Sequence, residues 1–283
     1  MLKFTKVLGL SVAALLQVSS VNSLAQEKGF IEIINGDPVK LQHPLARSVV
    51  GLLVKVDQGE GPVWYSECTG SVLSKKYILT AAHCLQGTDA KDLVVNFSIN
   101  SIDNDKQQDA ATRISDIEKT FTVRKIKDYR IHPGYQGSGI HDLAVISLEG
   151  AMPKSAKPVT LLPKSLVDMP NNKTRLEGQT VQVTLMGFGI IAEEPRKDTD
   201  VLRITSVPAR FEDSLVVTDQ TGGSGGCSGD SGGPAFMEYK GKTYQVGVTH
   251  GPHAGSMSCH EEGEWVNPAL DKAFLKQAMK ELK

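Results

Sequence analysis

The chain has 283 residues, 40% apolar and 22% charged, a globular composition that excludes a disordered tail protein. Thirty-one Lys and Arg against 32 Asp and Glu leave a net charge of -1, so there is no basic footprint for nucleic acid or for an anionic membrane surface. Four cysteines are too few for a disulfide scaffold but enough for two bridges in an oxidising compartment.

In chain order, the N-terminus comes first. Lys3 and Lys6 precede an apolar run over residues 7–18, and Ser23-Leu24-Ala25 puts small residues where a signal peptidase reads. Residues 1–25 therefore read as an export signal cut before Gln26, which places the protein in a periplasm or outside the cell. The run falls short of the ~20 residues that span a bilayer, so no membrane association is expected after signal removal. Short apolar runs follow at 48–56, 68–73, 77–80, 93–99 and 143–148, separated by Gly, Asn, Asp and Pro. Residues 179–185 alternate, with Val181, Val183 and Leu185 on one face, as do Tyr244, Val246 and Val248. That period of two predicts half-buried antiparallel strands. The loop at 101–116 is polar and acidic, but Asp103, Asn104 and Asp105 lack the ligand spacing of an EF-hand, so it reads as solvated. One helix is expected, capped by Asn267, with Pro268 in its first turn and Leu270, Phe274, Ala278 and Leu282 four apart. The pattern is all-β with a terminal helix.

Three segments carry chemistry: Leu79-Thr80-Ala81-Ala82-His83-Cys84, Asp142-Leu143-Ala144-Val145, and Gly229-Asp230-Ser231-Gly232-Gly233-Pro234. In this order they resemble the chymotrypsin/trypsin family of serine endopeptidases. Ile33-Ile34-Asn35-Gly36, His132-Pro133 and Gly187-Phe188-Gly189 resemble further landmarks, so the likeness spans residues 33–283. The resemblance implies two packed six-stranded antiparallel β-barrels with a C-terminal α-helix. Barrel one would cover 33–150, barrel two 151–266 and the helix 267–282.

The chemistry asks for these residue types. A serine hydroxyl is a poor nucleophile and needs a base, here His83, to take its proton. Asp142 would hold the ring's tautomer and stabilise the imidazolium, while the amides of Gly229 and Ser231 face the oxyanion. No organic cofactor and no metal are implied; the other histidines, His43, His132, His141, His253 and His260, read as structural. His141 adjoins Asp142 and is the rival base, but strand alternation points it elsewhere. Gly229–Gly233 also satisfies the nucleophile-elbow pattern, yet Asp271, the one aspartate after Ser231, follows every remaining histidine, which breaks that fold's acid-then-histidine order.

The resemblance further implies the pairs Cys68–Cys84 and Cys227–Cys259. It implies a propeptide at 26–32, cut before Ile33 so that the new amine pairs with Asp230. Partners would be protein or peptide substrates and proteinaceous inhibitors, and the protein would be a monomer. A catalytically silent relative of the same fold is the rival class, opposed by the presence of all three catalytic residues. The specificity pocket would use Gly225, Gly226, Ser228, His250 and Gly263. Gly225 stands where trypsin-like enzymes carry aspartate, which speaks against cleavage after Lys or Arg. Two pockets stay open, one for large apolar side chains and one for acidic side chains held by Ser228 and His250. Glu32 before the proposed activation bond tilts the reading towards the acidic one.

Overall fold

The structure is a computed structural model and describes residues 33–57, 59, 62–105, 114–167 and 174–283. The expected export signal and propeptide, and residues 106–113 of the acidic loop, lie outside the described residues. Six strands close the first barrel: β2 (Val49–Asp57), β3 (Pro62–Val72), β4 (Tyr77–Thr80), β5 (Leu93–Asn96), β6 (Val123–Ile131) and β7 (Ala144–Leu148). The second is formed by β8 (Thr180–Gly187), β9 (Arg203–Glu212), β10 (Leu215–Asp219), β11 (Pro234–Tyr239), β12 (Lys242–Pro252) and β13 (Glu262–Val266). Pairing of β8 with both β9 and β11 closes it, and β1 (Asp37–Pro38) adds to β9. Every strand pair in both barrels is antiparallel.

Alternation decides most of this. In β8, Val183 and Leu185 are buried in barrel two with Val207, Phe211, Val216, Val246 and Trp265, while Gln182 faces out. Barrel one buries Val50, Leu52, Ile78, Val95 and Ile146 in one core cluster, which also takes in Val145 from the opposite face of β7. Burying one such side chain contributes about 1.5–3 kcal/mol, so each core outweighs any single polar contact at its rim. The seven-residue helix α1 (Ile114–Thr120) drops Ile117 onto Trp64 and Val94 outside that barrel, and a one-turn helix α2 (Lys164–Val167) buries Leu166 in barrel two.

The expected division needs two adjustments. The N-terminal segment belongs partly to barrel two, because Ile33 is buried among Leu185 and Trp265 and β1 pairs with β9. The last helix, α3 (Lys272–Glu281), starts five residues later than Asn267, and Asp271 takes the cap position. Asn267 instead closes a turn, its Oδ1 accepting the Ala269 N–H at 3.0 Å. Leu275, Ala278 and Leu282 then bury in the core cluster of barrel one, which also takes in Val248 and Val266 of barrel two.

Candidate active site

The site forms where the two barrels meet, and Thr69 on β3 is the hinge pin between them. Its N–H donates to Ser231 O at 2.8 Å, and its hydroxyl donates to Gly229 O at 2.9 Å. Its carbonyl accepts the Thr80 hydroxyl at 2.8 Å. Beneath it Ser71 Oγ donates to Gln245 Oε1 at 2.8 Å, a buried bond across the interface. These bonds fix the turn that carries Ser231 against the first barrel.

His83 sits in the turn after β4, pinned to β3 by the Cys68–Cys84 disulfide. Asp142 precedes β7 and is fully buried. Its Oδ1 accepts the His83 backbone N–H at 2.9 Å, and its Oδ2 accepts His83 Nδ1–H at 2.6 Å. A second imidazole, His250 on β12, places Nδ1 on that same Oδ2, also at 2.6 Å. Burial pushes the Asp142 carboxyl up, but the bonds from His250 and His83 outweigh it and hold the group at about 2. With Nδ1 donating to Asp142, Nε2 of His83 is left as the basic nitrogen. The His83 and His250 rings meet edge to face, 5.7 Å between centroids. Ser231 is half-buried and shares a cleft with His250, and its carbonyl oxygen lies 3.5 Å from Cys84 Sγ, one residue from His83.

Gly229 adopts φ +92°, and a Cβ there would stand 2.9 Å from Gly189 Cα, so the turn requires glycine. Asp230 is buried, its two oxygens accepting the Gly189 N–H at 2.8 Å and the Cys227 N–H at 2.9 Å. Burial dominates those two bonds and raises its carboxyl to about 7. The glycines of Gly187-Phe188-Gly189 are explained by this carboxylate: a Cβ on either would lie within 2.4 Å of an Asp230 oxygen.

A family model described as Trypsin matches residues 50–263. The chain is 32% identical over 204 residues to brachyurin of Leptuca pugilator, covering 66% of this chain and 79% of that protein. The chain belongs to the trypsin family. It is therefore a serine-type endopeptidase. It is also 29% identical over 219 residues to chymotrypsin of Phaedon cochleariae, covering 74% of this chain and 70% of that protein. A third relative, chymotrypsin-like elastase family member 1 of Bos taurus, is 25% identical over 221 residues, covering 73% of this chain and 75% of that protein.

Within this trypsin-family site, both expected disulfides are present, Cys68–Cys84 and Cys227–Cys259, and no cysteine is free. A cleft of about 250 Å³ beside Ser231 is lined by Gly226, Ser228, His250, Gly263 and Trp265. Gly225 is not among its lining residues. Instead it bridges to Ile34, and a Cβ there would fall 2.1 Å from Gln220 Cδ. The Gln220 carboxamide is buried between Gly226, whose N–H it accepts at 2.8 Å, and Cys259, to whose carbonyl it donates at 2.7 Å. Trp265 lays its six-membered ring between the wall glycines: a Cβ on Gly226 would meet it at 3.1 Å and one on Gly263 at 2.4 Å. His250 and Ser228 both line this cleft, with His250 Nδ1 placed on Asp142 and its other ring nitrogen free of any such bond to that carboxylate.

The histidines read as structural have clear partners. His43 Nδ1 accepts the Leu45 N–H, His253 Nδ1 lies 3.0 Å from Glu264 Oε2, and His260 Nε2 lies 3.8 Å from Glu193. His132 Nε2 and His141 Nδ1 share Asp271 Oδ1 at 3.3 and 3.1 Å, with their rings stacked. His141 is thereby turned away from Asp142, as alternation predicts, though through a left-handed φ of 61° instead of a strand. His132, His141 and Asp271 offer three ligand atoms close enough for an ion. However, His132 Nδ1 accepts the Gly134 N–H at 3.0 Å, which leaves its ring proton on Nε2, where a metal would bind. Hydrogen bonding accounts for that cluster. Sequence reading missed Thr69, Gln220, Trp265 and the Asp142 contact of His250, none of which carries a local motif.

Proposed function

We propose that this peptidase works through a His83–Asp142–Ser231 triad and an acyl-enzyme. Ser231 Oγ attacks the scissile carbonyl as His83 Nε2 takes its proton, and the same nitrogen then protonates the leaving amine. Water, deprotonated by His83, releases the acyl group. The observation that carries the reading is the double hold of Asp142 on His83, through the backbone N–H and Nδ1–H. The N–H groups of Gly229 and Ser231 have no protein acceptor among the described residues, which suits them to the oxyanion.

The reading includes export through a cleaved signal, with no described helix long and apolar enough to cross a membrane. It also includes activation by cutting before Ile33. Ile33 is fully buried, and Ile34 packs on Ile190 and Cys227, beside the amides that hold Asp230. A new amine at Ile33 would supply a cation for Asp230, whose hydrogen bonds among the described residues come from the Gly189 and Cys227 amides.

For primary specificity the cleft favours large apolar side chains. Its walls are glycines and the Trp265 ring, and Glu193 stands at its lining, where its charge opposes a substrate carboxylate. The test uses processed enzyme with an organophosphonate active-site probe and matched peptides bearing Phe, Leu, Glu or Arg before the scissile bond. Labelling lost in Ser231→Ala, with Phe or Leu cleaved best, is expected. A wild type that never labels would mean a silent member of the family, and preferential cleavage after Glu would restore the acidic pocket.

A further inference from the structure

His250 lines the cleft and also makes a contact that neither pocket reading uses. Its ring stands between two carboxylates. Asp142 Oδ2 receives its Nδ1 at 2.6 Å. On its other edge Glu264 lies over Gly139, where a Cβ would come 1.4 Å from Glu264 Oε1 and 3.3 Å from His250 Cδ2. Only a glycine at 139 leaves room for that carboxylate. Glu264 is itself buried and tied to His253 Nδ1 at 3.0 Å. The titratable groups facing His250 are therefore Asp142 and His83 from barrel one, with Tyr135 near Asp142, and Glu264 backed by His253 from barrel two. Glu193 and Glu262 stand elsewhere along the cleft that it lines.

We infer that His250 is an ionisable positioning residue for the peptidase reaction: it shares Asp142 Oδ2 with His83, and its own proton sets how much negative charge Asp142 offers the catalytic imidazole. The inference rests on the triad reading above. In either protonation state Nδ1–H can donate to Asp142 and fix the carboxylate. In the cationic state the added positive charge cancels the carboxylate's field just where the imidazolium must form on His83, so turnover slows. In the neutral state the field is restored. Burial tends to drive the proton off His250, yet Asp142 and Glu264 outweigh it and hold the ring above the ordinary histidine value of 6.5.

The experiment is the pH dependence of kcat/KM for processed wild type, His250→Asn and His250→Phe, from pH 5 to 9. Asparagine keeps an N–H donor but cannot ionise; phenylalanine keeps a ring but does neither. With a second proton opposing catalysis, the wild-type acid limb should fall more steeply than tenfold per pH unit where His250 titrates, and both variants about tenfold. A one-proton limb in the wild type, or a two-proton limb kept in the variants, would overturn the inference. Probe labelling at pH 8 reports whether each variant has an assembled site. If neither labels, NMR titration of His250 in Ser231→Ala against Ser231→Ala/Asp142→Asn decides. His250 must lose its proton at lower pH without the carboxylate, and an unchanged value refutes the inference. Failure of the wild type to label at Ser231 would instead be a failure of the triad reading.

Discussion

Asp230 makes the uncut chain sensitive to pH in the direction opposite to most carboxylates. Its carboxyl is raised from 3.8 to about 7 because burial removes it from water and two amide bonds do not compensate. In the unfolded chain the same group ionises near 3.8. Below that value both states are protonated and nothing is lost. As pH rises from 3.8 to 7 the unfolded chain releases its proton and the folded one does not, so folding stability falls throughout that window. The difference of about three pH units corresponds to roughly 4 kcal/mol once pH passes 7. Against a typical net stability of about 5–15 kcal/mol this is a large share. The assay is urea unfolding of uncut Ser231→Ala protein at pH 4, 5.5, 7 and 8, beside the same protein carrying Asp230→Asn. The asparagine variant sets the contribution of every other group, so the difference between the two curves isolates Asp230. That difference should change by several kcal/mol in favour of Asn between pH 4 and 8, and should shrink in protein processed to begin at Ile33, where an amine offsets the carboxylate. A difference that stays flat with pH would refute the reasoning about burial. A difference that survives processing unchanged would refute the pairing with Ile33.

Asp142 behaves in the ordinary sense, its carboxyl held at about 2 by His250 and His83, so its contribution is present above 3.8 and lost as pH falls towards 2. In Ser231→Ala protein, His250→Phe should therefore cost most stability near neutrality, and the gap to the parent should narrow by about 1–2 kcal/mol at pH 2; a gap independent of pH would count against it. Gly232→Ala should destabilise strongly, because φ is +79° and the new Cβ would lie 2.5 Å from Thr69 O and 2.0 Å from Thr80 Oγ1. Gly241→Ala, at φ +71° with open space around it, should cost only the backbone part of about 1–2 kcal/mol, and equal melting temperatures for the two would refute the steric account.

Much of the architecture could be read from the chain because it is written in local pattern. The run at 77–80 is β4, and the alternation at 179–185 falls on β8 from its first residue, Thr180, since each strand turns one face to its barrel's core. Strands that failed to announce themselves have a physical reason. In β6, Val-Arg-Lys-Ile-Lys-Asp-Tyr-Arg-Ile, long charged side chains occupy half-exposed positions, and β9 carries Pro208 on its outer face. The apolar run at 93–99 stops at Asn96, whose side chain accepts the Ser98 N–H and donates to Asn100 O, turning the chain. The helix start slipped because Asn267 and Asp271 both offer caps, and only packing of Leu275 and Ala278 on barrel one selects the second. The residues proposed for the triad stand out in the sequence because their glycine-rich and alanine-rich surroundings are local requirements of tight turns. His250 was not, since its bond to Asp142 joins residues 108 apart, and the same imidazole read as a pocket wall from its neighbours alone. What distinguishes the two assignments is the meeting of β12 with the segment before β7 across the barrel interface. A candidate catalytic carboxylate can be proposed from a motif, but the groups that share it are fixed by how two barrels, each legible separately, come to rest against one another.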